Sequence, residues 1–171
     1  MMLFVSIGGF FFVDTAAQPL GSPEQGGGGT RVAVVEGVEI ELLPGWQEAE
    51  RFTDPPGVRL TRGIGSLDAF AIDFAGTPDA LFESYFVEAL EPQSSQLQRP
   101  VTVEPLSIEG ASAVRGPYTG SFGDLGPVEG EVTALVTPEG TGVVFDGWAH
   151  QGLYAQIAEE VRVMVEGVGL G

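Results

Sequence analysis

From Arg31 onward, apolar and polar positions alternate in short runs, a pattern typical of half-buried β-strands. In the clearest run, Val38, Ile40 and Leu42 share one face and the glutamates between them share the other. Further strand-like runs are separated by turns rich in Gly and Pro, and they cover residues 32–35, 58–62, 67–74, 102–108, 111–118, 128–136 and 142–146. The pattern predicts a largely antiparallel sheet built from hairpins.

Two segments change to a helical period. The first begins at Thr77-Pro78-Asp79, where Thr can cap the helix, Pro suits its first turn and the acid favours its positive end. Its apolar stripe consists of Leu81, Phe82, Tyr85, Phe86, Ala89 and Leu90, before Pro92. The second stripe consists of Leu153, Ile157, Val161, Met164 and Val168, with Glu159, Glu160 and Arg162 largely on the outer face. Strands, helix, strands and helix predict an α+β domain: an antiparallel β-sheet of about six to eight strands with two amphipathic helices packed on it.

The N-terminal segment differs from the rest of the chain in composition. Met1 to Val13 is almost wholly apolar, and as a helix it would span about 20 Å, short of the ~30 Å hydrocarbon core. Small residues at 15–17 suit signal-peptidase cleavage, although a basic flank is missing. We therefore expect residues 1–17 to be a signal or a truncated membrane anchor; the alternative is an N-terminal element buried in the fold.

Residues 18–30 (QPLGSPEQGGGGT) contain two Pro and a run of four Gly, with little to bury. This composition predicts a flexible linker, which leaves residues 31–171 as the α+β domain. The domain would then be held near a membrane without a fixed orientation.

Charge narrows the classes of partner. The 171 residues include 24 acidic and 7 basic side chains, all seven of them Arg, for a formal net charge of -17. Such a field repels phosphate backbones, so nucleic acid is excluded as a partner. The chain has no Cys, which excludes disulfides, zinc-thiolate sites and iron–sulfur clusters. Membrane association would have to use the N-terminal segment.

The stretch from Gly37 to Trp46 (GVEIELLPGW) resembles the opening strand of PsbP-like domains, which read as a glycine, an alternating strand and Pro-Gly-Trp. The later order of hairpin, helix, meander and C-terminal helix is similar too. The family is named after an extrinsic subunit of the photosynthetic oxygen-evolving complex and includes Ran-binding and bacterial envelope members. The resemblance implies an α/β/α sandwich and a non-enzymatic binding or assembly module without a cofactor. It transfers no functional residue to this chain.

Candidate chemistry is sparse. His150 is the only His, and no Gly-x-Ser-x-Gly elbow accompanies it. Asp68 and Asp73 differ by an odd number along one strand and should face opposite ways. No calcium-binding loop motif is present either, so the carboxylates are interpreted as solvated surface. We predict no catalytic residue, no cofactor site and no metal site.

Two tryptophans lie at strand ends beside glycines, where the simplest role is to anchor the core. If a ligand-binding rim exists, we expect it at Trp46, Trp148, His150 and Tyr154. The sequence favours a non-catalytic extracytoplasmic binding or assembly module, tethered to or secreted across a membrane, with an unidentified protein or small-molecule partner. The alternatives are a hydrolase or metal-dependent enzyme using His150 with a carboxylate, and a cytosolic adaptor whose N-terminal segment is part of the fold.

Overall fold

The computed structural model describes residues 29–171. The predicted segment 1–17 and residues 18–28 of the predicted linker lie outside the described residues. No helix within 29–171 has the length and apolar character needed to cross a membrane.

An eight-stranded antiparallel sheet forms the centre of the domain. Its strands are β3 (Gln47–Thr53), β4 (Pro56–Arg62), β5 (Gly65–Asp73), β6 (Ser94–Gln98), β7 (Glu104–Ile108), β8 (Ala111–Phe122), β9 (Gly126–Val136) and β10 (Thr141–His150). The spatial order is β3-β4-β5-β10-β9-β8-β6, and β7 pairs with the other half of β8. A smaller antiparallel sheet has the order β1-β2-β11, with β1 (Arg31–Val35), β2 (Val38–Glu41) and β11 (Gly169–Leu170).

Two helices complete the fold. Helix α1 (Pro78–Tyr85) begins as predicted, because the Thr77 hydroxyl accepts a hydrogen bond from the backbone N–H of Ala80 at 3.2 Å. It continues through a π-helical turn at Phe86–Leu90 and a 3₁₀ turn at Glu91–Gln93. Helix α2 (Ala158–Glu166) follows a 3₁₀ turn at Tyr154–Gln156. It is shorter than the apolar stripe from which it was predicted.

The large sheet separates two hydrophobic cores, which gives the α/β/α arrangement. On one face, α1 and its π-helical turn pack on the sheet; the largest fully buried side chains there are Tyr85, Phe86, Phe122, Leu81 and Leu90. On the other face lie α2 and the small sheet, with Ile40, Leu60, Leu67, Ile108 and Phe145 fully buried. The predicted α+β class with an antiparallel sheet and two packed helices is confirmed.

Close approach of α2 depends on a glycine in β10. A Cβ atom at Gly147 would lie 2.6 Å from Val161 Cγ1 and 2.9 Å from the Tyr154 hydroxyl oxygen. Both distances are shorter than van der Waals contact, so only Gly fits there without movement of α2. This contact sets how deeply the helix seats on the sheet.

Candidate functional site

Three charged side chains lie side by side in the middle of the large sheet. The strand register places Arg59 of β4 opposite Asp68 of β5, and Asp68 opposite Asp146 of β10. Directly opposed residues of antiparallel strands share a face and have Cβ atoms about 4.5–5.5 Å apart. The row faces α1, because Tyr85 of that helix reaches Asp146.

The Arg59–Asp68 pair is bidentate and buried. Arg59 Nε donates to Asp68 Oδ1 at 2.7 Å, and Nη2 donates to Oδ2 at 2.9 Å. The indole Nε1 of Trp148 adds a third donor to Asp68 Oδ2 at 3.2 Å. The guanidinium also lies 5.5 Å from the ring centroid of Phe52 and 5.8 Å from that of Trp148. The aromatic rings and the carboxylate thus hold a cation whose desolvation would otherwise be costly.

Asp146 has different partners. Its carboxylate accepts hydrogen bonds from Tyr85 Oη at 2.8 Å and Tyr118 Oη at 2.9 Å. Burial first, and the nearby charge of Asp68 second, raise the pKa of Asp146 from 3.8 to about 7, although the two hydroxyls and Arg59 act in the opposite direction. Burial also raises the pKa of Tyr85 and of Tyr118 well above the usual range for tyrosine.

This cluster is closed to substrate. Asp68 is 0% exposed and Asp146 is 1% exposed, and both lie beneath α1 and the aromatic residues around it. Perturbed carboxylates in an open cleft would suggest catalysis, but a sealed set holds the sheet and the helix together. The expectation of solvated carboxylates is wrong for Asp68 and Asp146. The available signal was an acid in the middle of an apolar strand, in the runs LDAFAI and VVFDGW.

The four residues of the expected rim fall in different places. Trp46 and Tyr154 belong to the core beside α2, whereas Trp148 packs against the core beside α1. His150 is exposed at the last position of β10. Within the described residues, its imidazole forms no hydrogen bond or ion pair, and no three His, Asp or Glu side chains are grouped to hold a metal ion. A ligand-binding role for these four residues stays a prediction.

Helix α2 is fixed to the sheet by ionic contacts. Trp46 Nε1 donates to Glu160 Oε2 at 2.8 Å, and Arg62 pairs with the same carboxylate. Arg162 makes two hydrogen bonds to buried Glu131, from Nε at 2.9 Å and from Nη2 at 2.6 Å. Glu160 and Arg162 keep partly exposed side chains, as predicted for the outer face, and these contacts also hold the helix in place.

Every arginine of the chain is neutralised inside the domain. The seven side chains each lie within 4 Å of a carboxylate oxygen, in the pairs Arg31–Glu41, Arg51–Glu48, Arg59–Asp68, Arg62–Glu160, Arg99–Glu83, Arg115–Glu166 and Arg162–Glu131. Since the chain contains no Lys, these pairs account for all of its Lys and Arg side chains. The remaining carboxylates define the charge of the surface.

Two adjoining surface grooves are lined by several glutamates. One, of about 450 Å³, lies beside β2 and β11 and is lined by Glu39, Glu41 and Glu109. The other, of about 360 Å³, shares Glu109 and adds Glu36 and Glu139. Arg31 also lines the first groove, where it pairs with Glu39 and Glu41.

No protein-family profile matches the sequence, and no curated protein matches it either. Solved structures do match. Cyanobacterial PsbP (CyanoP) from Synechocystis sp. PCC 6803 superposes with a TM-score of 0.63 at 15% identity, over 90% of this chain and 100% of that one. This chain has a PsbP-like fold. The superposition confirms the PsbP-like fold that the sequence resemblance implied.

Two other solved structures share the PsbP-like fold. LpqN, described as involved in cell envelope biogenesis of Mycobacterium tuberculosis, has a TM-score of 0.61 at 11% identity, over 83% of this chain and 84% of that one. The Saccharomyces cerevisiae Ran-binding protein Mog1p has a TM-score of 0.52 at 11% identity, over 84% and 95% of the respective chains. At these identities the likeness defines the fold.

Proposed function

We propose that this protein is a non-catalytic binding or assembly module that acts outside the cytoplasm, tethered at or secreted across a membrane through its N-terminal segment. One observation carries the proposal: all seven arginines are paired within the domain, so the unpaired carboxylates dominate its charged surface. A predominantly negative surface favours recognition of a positively charged partner. Asp146, whose pKa is raised to about 7, is sealed in the interior, where it supports the fold.

The fold supports the same class of function. Among the similar structures, Mog1p is a Ran-binding protein and LpqN is involved in cell envelope biogenesis. The partner that best matches the charge of this chain is a protein with a basic surface, because a nucleic acid or an anionic lipid would be repelled. We expect the first contacts at the two acidic grooves, where exposed Glu36 and Glu139 are available.

The location is tested with a reporter enzyme that is active only outside the cytoplasm, fused after Thr30. The proposal predicts activity of this fusion, together with loss of activity when residues 1–17 are deleted. A fusion that is active only with a cytoplasmic reporter would contradict the proposal and support the cytosolic adaptor. A fusion after Gly171 of the intact chain controls for expression.

The class of function is tested separately. Cross-linking in intact cells, followed by purification of the chain from the envelope fraction, is expected to give a specific protein adduct. The enzyme alternative instead predicts that His150→Ala abolishes a hydrolytic or metal-dependent activity and leaves the melting temperature unchanged. Activity that depends on His150, without a cross-linked partner, would overturn the proposal.

A further inference from the structure

The central row of the sheet contains two carboxylates and one guanidinium. Arg59 neutralises Asp68 through two hydrogen bonds, whereas Asp146 accepts its hydrogen bonds from two uncharged hydroxyls, those of Tyr85 and Tyr118. Both aspartates are buried and directly opposed across β5 and β10. If both were ionised, the interior would hold an unbalanced negative charge, which a protein avoids by binding a proton.

We infer that Asp146 holds a proton in the folded protein, because Arg59 already neutralises the opposed Asp68, and that loss of this proton as the pH rises loosens α1 from the sheet. The hydroxyl contacts at 2.8 and 2.9 Å suit both states, because a tyrosine hydroxyl can donate to a carboxylate or accept from a carboxylic acid. Tyr85 is the last residue of α1, directly before the π-helical turn, so its hydroxyl connects the helix to the site.

The groups around Asp146 favour the proton. The titratable or charged side chains that surround it are Asp68 on β5, Arg59 on β4, Tyr85 on α1, Tyr118 on β8 and Tyr154 beyond the sheet, with Glu50 of β3 against Arg59. Arg59 is the one cation of this set, and its charge is already shared between Asp68 and Glu50. The raised pKa of Asp146, about 7, is consistent with this charge balance.

The sign of the pH dependence follows from that balance. The pKa of Asp146 is about 7 in the folded protein and near 3.8 in an unfolded chain. Between these values only the folded state holds the proton. The contribution to stability is therefore complete below pH 3.8 and is lost as the pH rises through about 7.

Urea unfolding of the full chain between about pH 5 and pH 8 tests the inference. We expect the unfolding equilibrium constant of the wild type to rise by up to about tenfold per pH unit below pH 7 from this site. Asp146→Asn keeps the shape of the side chain and removes its titration. The pH dependence of the unfolding equilibrium constant should therefore be smaller in this variant by the same amount. Equal slopes for the two proteins would overturn the inference.

Direct observation of the carboxyl groups keeps the test independent of how well the variant folds. In the wild type labelled with ¹³C at the Asp carboxyl carbons, one buried resonance should titrate near pH 7. If every Asp carboxyl stays ionised down to about pH 5, the inference is wrong. Amide exchange in residues 78–90, corrected for its intrinsic pH dependence, should accelerate above about pH 7, and unchanged protection would contradict the coupling to α1.

Discussion

Arg59 and Asp68 face each other on β4 and β5, and two hydrogen bonds of 2.7 and 2.9 Å join the guanidinium to the carboxylate in the interior. This pair lies under α1, near the edge strand β3, and its aromatic neighbours Phe52 and Trp148 come from strands on either side. The contact therefore joins four strands of the large sheet. The consequences of breaking it can be measured.

Arg59→Met is expected to lower the free energy of unfolding by about 3–5 kcal/mol, because it leaves Asp68 buried without its cation. The matched control is Arg31→Met, whose side chain is 64% exposed in its ion pairs and should change stability by less than about 1 kcal/mol. Urea denaturation at neutral pH measures both. Similar stabilities for the two variants would contradict the description of Asp68 as dependent on Arg59.

Tyr85→Phe removes one of the two hydroxyls that Asp146 contacts, and we expect a loss of about 1–3 kcal/mol. The loss should be larger at pH 8 than at pH 5, because a hydroxyl binds an ionised carboxylate more strongly than a protonated one. Tyr154→Phe is the control: its hydroxyl is buried and has no hydrogen-bond partner among the described residues. That change should cost nothing or stabilise slightly, and a larger loss from Tyr154→Phe would refute the assignment.

Trp46 and Glu160 are expected to be energetically coupled. A double-mutant cycle with Trp46→Phe and Glu160→Gln should give a coupling of about 1 kcal/mol, since both changes remove the same 2.8 Å hydrogen bond. The hydrogen bond from Arg62, and then that from Trp46, lowers the pKa of Glu160, so this stabilisation is present at neutral pH and is lost in acid. A control cycle that combines Trp46→Phe with Glu159→Gln should give no coupling, because Glu159 is exposed.

Gly147→Ala is expected to destabilise the fold by about 1–3 kcal/mol, because the added methyl group overlaps Val161 and the Tyr154 hydroxyl. Gly169→Ala is the control, since a Cβ there would have 3.9 Å to its nearest neighbour, the carbonyl oxygen of Glu39. Thermal unfolding followed by circular dichroism compares the two. Equal melting temperatures would show that α2 adjusts freely over β10.

The local pattern of apolar and polar residues is sufficient to predict most of the secondary structure. Alternation at Val38 and Ile40 and the Thr77-Pro78 start each act over a few residues, so the sequence contains what determines them. Strand β6 lies outside the strand-like runs of the sequence, because Ser94–Gln98 is mostly polar and lacks alternation; it forms a strand because β8 offers it an edge. Pairing with a distant strand is a tertiary effect that propensity does not reveal.

The buried row of Arg59, Asp68 and Asp146 could not be predicted from local sequence pattern. The pairing of Asp68 with Asp146 depends on the register of β5 against β10, which are separated by α1 and four other strands. A shift of one residue would turn either carboxylate to the opposite face. For the same reason, Trp46 and Trp148 were expected on one rim, whereas the structure places them in cores on opposite faces of the sheet.

The salt dependence of partner binding tests the proposed function most directly. The protein that cross-links to the chain in the envelope would be purified, and its Kd for the full chain measured at increasing salt. We predict that Kd rises with salt and that Glu36→Gln with Glu139→Gln weakens binding. The control pair Asp73→Asn with Asp124→Asn, which is also exposed but lies outside the grooves, should change Kd less. A Kd that is independent of salt and of all four substitutions would contradict the account.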